Sequence, residues 1–345
     1  MGEQCAGRPT PLARRWVATT VATTVAVMVL AALLSPPRGV PPAVGLTVLL
    51  FVGGSMHVAS TGWLAGVGDA RACARRHPLR FVTVPVALVV AGAIVVPLLS
   101  TRALDALLEA FFTWWFFHYA KQNVGIASLA STSYGAGPLR SLERRCIVAA
   151  GCFGTLALLA RPSLLLLGMM PSSAPLFCAA GAGFALSVLL GLLAISQRPR
   201  VDRPPGVVAC TTTSLCFSAP VFVVTSPYGA IGGMTIAHGL QYLGLVGLIA
   251  ARPGASGRRV ARLAALACAA VVGGVAIHAT AHRPEGGGLG RALFGVYLGV
   301  VAAHFVVDAG LWRMRDQTSR AFVVRSLPDL AATSGGERSV TAFRS

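Results

Sequence analysis

The sequence predicts an all-α, polytopic membrane bundle of about ten transmembrane helices with both termini cytoplasmic. Three observations carry that reading. The 345-residue chain is 55% hydrophobic and only 12% charged, too apolar for a soluble domain of this size. Apolar runs of roughly 17–25 residues recur along it, the length that crosses a hydrocarbon core. The basic residues gather in alternate connections, as the positive-inside rule requires.

The runs follow one another with short breaks. Residues 1–15 form a basic N-terminal segment with no small-residue cleavage site after it, so the first run, 16–34, stays as an anchor. The second, 42–67, carries His57; the third, 80–99, is almost wholly aliphatic. The fourth, 105–127, holds the aromatic block Phe111 to Phe117 and then His118. The fifth, 146–162, is interrupted at Arg161-Pro162, and the sixth and seventh fall at 174–195 and 206–225. The eighth, 229–251, carries His238; the ninth is 260–280; the tenth, 289–312, carries His304 and Asp308. The membrane domain is thus residues 16–312, and the polar remainder, 313–345, reads as a cytoplasmic and mostly disordered tail.

Charge supports this topology and excludes another function. With the N-terminus inside, 24 of the 29 basic residues lie on the inner side. The net charge of +18 therefore reflects membrane topology, not nucleic-acid binding, because the arginines are spread through short loops. The expected location is a bacterial inner membrane, multi-pass. The eight cysteines are dispersed and include no Cys-x-x-Cys pair, so they read as packing residues.

The chemistry lies at mid-depth. His57, His118, His238 and His304 sit within about four residues of the midpoints of their runs, a slab of roughly 6 Å at 1.5 Å per residue. Ionisable groups inside a membrane are costly and mark functional sites, and imidazole is the commonest metal ligand. The four histidines and Asp308 are the candidate metal ligands. Thr61, Gln122 and Gln241, each three or four residues beyond a histidine, are candidates to orient them. Asp308, Lys121 and Tyr242 are the candidate catalytic side chains. Lys121, the only lysine in the chain, also fits a side chain snorkelling to the inner interface. Asp105 and Glu109 read as solvated groups at the outer end of the fourth run. His278 and His282 form an i,i+4 pair that fits a solvated site better than a metal site.

Three motifs, His118-x3-Gln122, His238-x2-Gln241-Tyr242 and His304-x3-Asp308-x3-Trp312-Arg313, resemble those of bacterial polytopic membrane proteins with histidines in separate helices. That likeness implies no particular activity. In architecture the chain also resembles the Brp/Blh-type β-carotene dioxygenases, helical membrane proteins in which midplane histidines hold an iron that cleaves an apolar polyene. No local motif of that family aligns, so no residue role is carried over.

The expectation is a membrane metalloenzyme, with non-haem iron or another divalent transition metal, oxidising an apolar lipid or isoprenoid. A haem-binding electron-transfer protein and a proton-coupled transporter are the alternatives. The expected partners are membrane lipids and an apolar small-molecule substrate.

Overall fold

The computed structural model describes residues 9–37, 39–166, 172–252, 258–281 and 288–331. The described chain is helical and contains no strand. In order the helices are α1 (Pro11–Leu33), α2 (Val44–Leu64), α3 (Gly68–Arg76), α4 (Leu79–Leu98), α5 (Thr101–Ser133), α6 (Ser141–Ala160) and α7 (Ala174–Ser196). Then come α8 (Pro205–Leu215), α9 (Pro220–Val223), α10 (Tyr228–Ala251), α11 (Arg259–Thr280), α12 (Leu289–Leu311), α13 (Gln317–Ser326) and α14 (Pro328–Ala331).

Among the described residues, seven helices are long and apolar enough to cross a membrane: α1, α2, α4, α7, α10, α11 and α12. The other three expected spans are helical but less apolar or less continuous. Helix α5 carries His118, Lys121, Gln122 and Asn123 in sequence, so the candidate site itself lowers its hydropathy. Helix α6 opens with Glu143, Arg144 and Arg145. The seventh run is broken into α8 and α9 ahead of Pro220, where the proline lacks the N–H that a continuous helix needs.

Helix starts follow from local chemistry. Thr10 accepts from the Ala13 amide to cap α1, and Ser100 accepts from the Ala103 amide to cap α5, each satisfying a donor with no partner inside the helix. Proline occupies the first turn of α1, α7 and α8, where its missing N–H costs nothing.

Helix α12 packs against α4, α6 against α7, α1 against α10, and α11 against α2. Helix α2 also touches α10 and α12, and α5 touches α12. The histidine-bearing helices α2, α5, α10 and α12 therefore adjoin. Small residues permit this closeness, as expected where helices pack within a membrane. A Cβ on Gly53 would collide with the backbone of Ile236, and one on Gly239 with the backbone of Gly53. Gly92 and Gly295 make a similar backbone contact between α4 and α12.

Two sequence expectations are corrected. Asp105 is buried at 5% exposure rather than solvated, because α5 turns it inward beside Leu104 and Leu108. The stretch 317–331, expected to be disordered, forms α13 and α14, with Phe322, Val323, Leu327 and Leu330 buried. Residues 332–345 and His282 lie outside the described residues.

Candidate metal centre

Helices α2 and α10 each contain a π-helical turn shortly before their histidine: Val52–Met56 precedes His57, and Tyr228–Gly232 precedes His238. Such turns insert an extra residue, re-aim the side chains that follow, and are frequent at functional sites. The Gly53–Gly239 contact brings the two backbones together one turn before His57 and directly after His238.

The four imidazoles form a closed ring. Adjacent ring centres are 5.0 Å apart for His57 and His238, 4.9 Å for His238 and His118, 5.2 Å for His118 and His304, and 5.0 Å for His304 and His57. All four contacts are edge-on, and all four residues are buried. Asp308, 4% exposed, stands beside them, with Oδ2 3.7 Å from Nε2 of His304 and 3.8 Å from Nε2 of His118.

Two overlapping donor groups could hold a metal ion: His57, His238 and His304, and His118, His304 and Asp308. Within each group the ligand atoms lie within 4.8 Å of one another. Two donors bonded to one ion at about 2.1 Å can be as far apart as about 4.2 Å, so small adjustments would close either group on an ion.

Unsatisfied nitrogens support the fit. Both ring nitrogens of His57 and of His238, and Nε2 of His118 and His304, are buried with no hydrogen-bond partner among the described residues. A buried polar group left this way costs about 1–3 kcal/mol. An ion among these lone pairs would remove much of that cost.

A hydrogen-bond chain orders part of the site. The Tyr242 hydroxyl donates to Oδ1 of Asp308 at 2.9 Å. Thr61 Oγ1 lies 2.8 Å from that hydroxyl and 2.7 Å from Nδ1 of His304. With Asp308 ionised, every donor in the chain follows, because a carboxylate only accepts. Tyr242 donates to Asp308, Thr61 donates to Tyr242, and His304 donates its Nδ1 proton to Thr61. The lone pair of His304 then sits on Nε2, facing Asp308 and His118.

A second set of bonds ties the frame. Gln122 donates from Nε2 to the His238 carbonyl and to Oε1 of Gln241, both at 3.0 Å. Gln241 in turn donates to Thr24 Oγ1 at 3.0 Å. These residues link α5, α10 and α1 instead of touching the imidazole nitrogens.

The structure thus brings together His57, His118, His238, His304, Asp308, Thr61 and Tyr242, with Gln122 and Gln241 as struts. It does not bring in Lys121, which is exposed on α5.

Two neighbours were not foreseen. Tyr119 stacks on His238 with centres 4.0 Å apart and donates to Thr235 at 3.0 Å. Phe305 stacks on His118 at 4.6 Å. Each directly follows a site histidine in sequence, which was the available signal. Of the aromatic block, Phe111, Trp114 and Trp115 pack against Phe305, and Trp114 and Phe117 are also partly exposed.

A cavity of about 330 Å³ reaches the cluster. Its walls include Val58, Ile277, Val300, Val307 and Leu311, and Thr61 and His304 are its polar members.

Compared with known proteins, the chain matches no family model, no curated protein and no solved structure.

Proposed function

We propose that this protein is a multi-pass membrane metalloenzyme that oxidises an apolar lipid or isoprenoid at the His/Asp cluster. The observation that carries the reading is the closed ring of four buried imidazoles, each with at least one buried nitrogen that has no hydrogen-bond partner among the described residues, and one carboxylate beside them. The ligands would be His57, His118, His238, His304 and Asp308. A histidine and carboxylate set suits non-haem iron, which supplies oxygen chemistry where coordination positions remain open.

The chain's own groups set the conditions. Thr61 fixes the tautomer of His304, and Tyr242 holds one oxygen of Asp308, leaving the other directed at the cluster. The mainly apolar cavity beside His304 suits a substrate that lives in hydrocarbon. Imidazoles about 5 Å apart around a closed ring leave little room for a porphyrin between them, which favours a single ion over haem.

Ten crossings with both termini inside, in a bacterial inner membrane, complete the proposal. The alternation of arginine-rich connections supports that count.

The test is metal content and a visible spectrum on protein purified in mild detergent. About one iron per chain without a Soret band supports the proposal, and a Soret band moves the reading to haem. A well-folded protein that binds no metal moves it to a proton-coupled carrier. The Asp308–Tyr242–Thr61–His304 chain favours that second reading, since continuous hydrogen bonds can relay protons.

A further inference from the structure

Away from the histidines, a second cavity of about 250 Å³ opens where α3, α10, α11 and α13 meet. Its lining includes Gly68, Asp69, Arg252, Arg262 and Ser326. Arg262 stands one turn into α11, and its Nε and Nη2 are buried with no hydrogen-bond partner among the described residues. Those two nitrogens form one complete edge of the guanidinium, the fork that grips two oxygens of a phosphate or carboxylate. An unpartnered guanidinium edge calls for an anion with two oxygens.

The cavity's one carboxylate is otherwise engaged. Asp69 lies 3.2 Å from Nη2 of Arg325. Arg252 adds a second positive charge to the lining. The N-terminus of α3 also reaches the cavity through Gly68, and no side chain caps it. Arg71 holds the preceding turn by donating to the carbonyls of Ala65 and Gly66, at 3.1 and 2.7 Å. Uncapped amides at a helix start attract anions.

We propose that this cavity binds a phosphate group, with the Arg262 fork as the main contact and Arg252 as the second charge. The same chemistry is offered by an anionic lipid headgroup at the rim of the bilayer and by a soluble phosphate. The inference is independent of the reading of the histidine cluster.

The test uses the full-length protein in neutral detergent and in lipid nanodiscs. Native mass spectrometry would count bound inorganic phosphate in the first and retained phosphatidylglycerol against phosphatidylcholine in the second. One saturable equivalent of either anion is expected. Arg262→Gln should weaken it at least about tenfold, the loss of roughly one charged contact. Arg262→Lys, which keeps the charge and loses the fork, should weaken it by less. Arg259→Gln, a change at an exposed arginine on the same helix, should leave it unchanged. Binding of the lipid alone assigns the site to a headgroup, and binding of phosphate alone to a soluble ligand; both support the proposal. No saturable binding of either anion, or equal binding by wild type and Arg262→Gln, overturns it. If Arg262→Gln does not fold, Arg262→Lys and Arg252→Gln decide by the same readout.

Discussion

Thr61 Oγ1 sits 2.7 Å from Nδ1 of His304, joining α2 to α12 through one hydroxyl. The same oxygen reaches Tyr242 on α10 at 2.8 Å, so a single threonine coordinates three helices. Its loss should register in metal binding more than in folding. Thr61→Val keeps the shape and removes the hydroxyl. Metal affinity should fall about 10–100-fold, as when other groups that orient a ligand are removed, while Thr61→Ser should stay near wild type. A metal titration monitored by competition with a chelator measures both.

His118 and His304 both direct Nε2 to within 4 Å of the same Asp308 oxygen, at 3.8 and 3.7 Å. His118→Ala and His304→Ala should each abolish stoichiometric metal. Elemental analysis of the purified variants reads this directly, and full metal in both would rule out a shared centre.

Asp308→Asn and Lys121→Ala separate the cluster from its surroundings. The first replaces the buried carboxyl group beside two imidazoles. The second alters an exposed side chain, and such changes usually shift stability by no more than about 0.5 kcal/mol. Metal content and turnover should fall sharply in the first and little in the second. The reverse order would move the chemistry toward the end of α5.

Glu143 and Arg198 form a buried ion pair outside the cluster. Arg198 donates from Nε and Nη2 to the two Glu143 oxygens, each at 2.5 Å, and also to the carbonyls of Ala136 and Pro138. The hydrogen bond to Glu143 holds the Arg198 pKa above its ordinary value. Glu143→Ala would leave a buried guanidinium without its counter-charge. The expected cost is about 3–5 kcal/mol, visible as a lower thermal midpoint in detergent.

Asp316 caps α13 by accepting from the Ser319 amide at 2.9 Å, and lies 3.3 Å from Nε2 of His77. The Ser319 amide, with a smaller contribution from His77, lowers its pKa below the ordinary 3.8. Because the folded value is depressed, the stabilisation is complete above pH 3.8 and fades as pH falls through the lowered value. Asp316→Ala should remove a cap of about 1 kcal/mol at neutral pH. Hydrogen exchange at Phe322 and Val323 would report the loosening of α13, and unchanged exchange would count against the cap.

The sequence shows the depth of each histidine but not which helices touch. Periodicity locates His57 in its run, yet only packing brings its ring to His238. The π-helical turns have no compositional marker beyond glycines such as Gly53 and Gly54. Lys121 and Gln122 are adjacent in sequence, but one faces outward and the other joins the frame, a choice made by the orientation of α5. The α13 and α14 segment did carry a signal. Residues 322, 323, 326, 327, 330 and 331 are buried at helical spacing, a pattern hidden by the serines and arginines among them.

The glycine crossing of α2 and α10 gives the centre a hard stop in place of a spring. Two helices already press backbone to backbone at Gly53 and Gly239, so the main-chain positions that carry His57 and His238 cannot draw closer, and only their side chains can adjust. Nor can those positions separate without prying two whole helices apart. Discrimination between ions of different radius would then be a property of the skeleton, and a single methyl group at that crossing would reset the gauge.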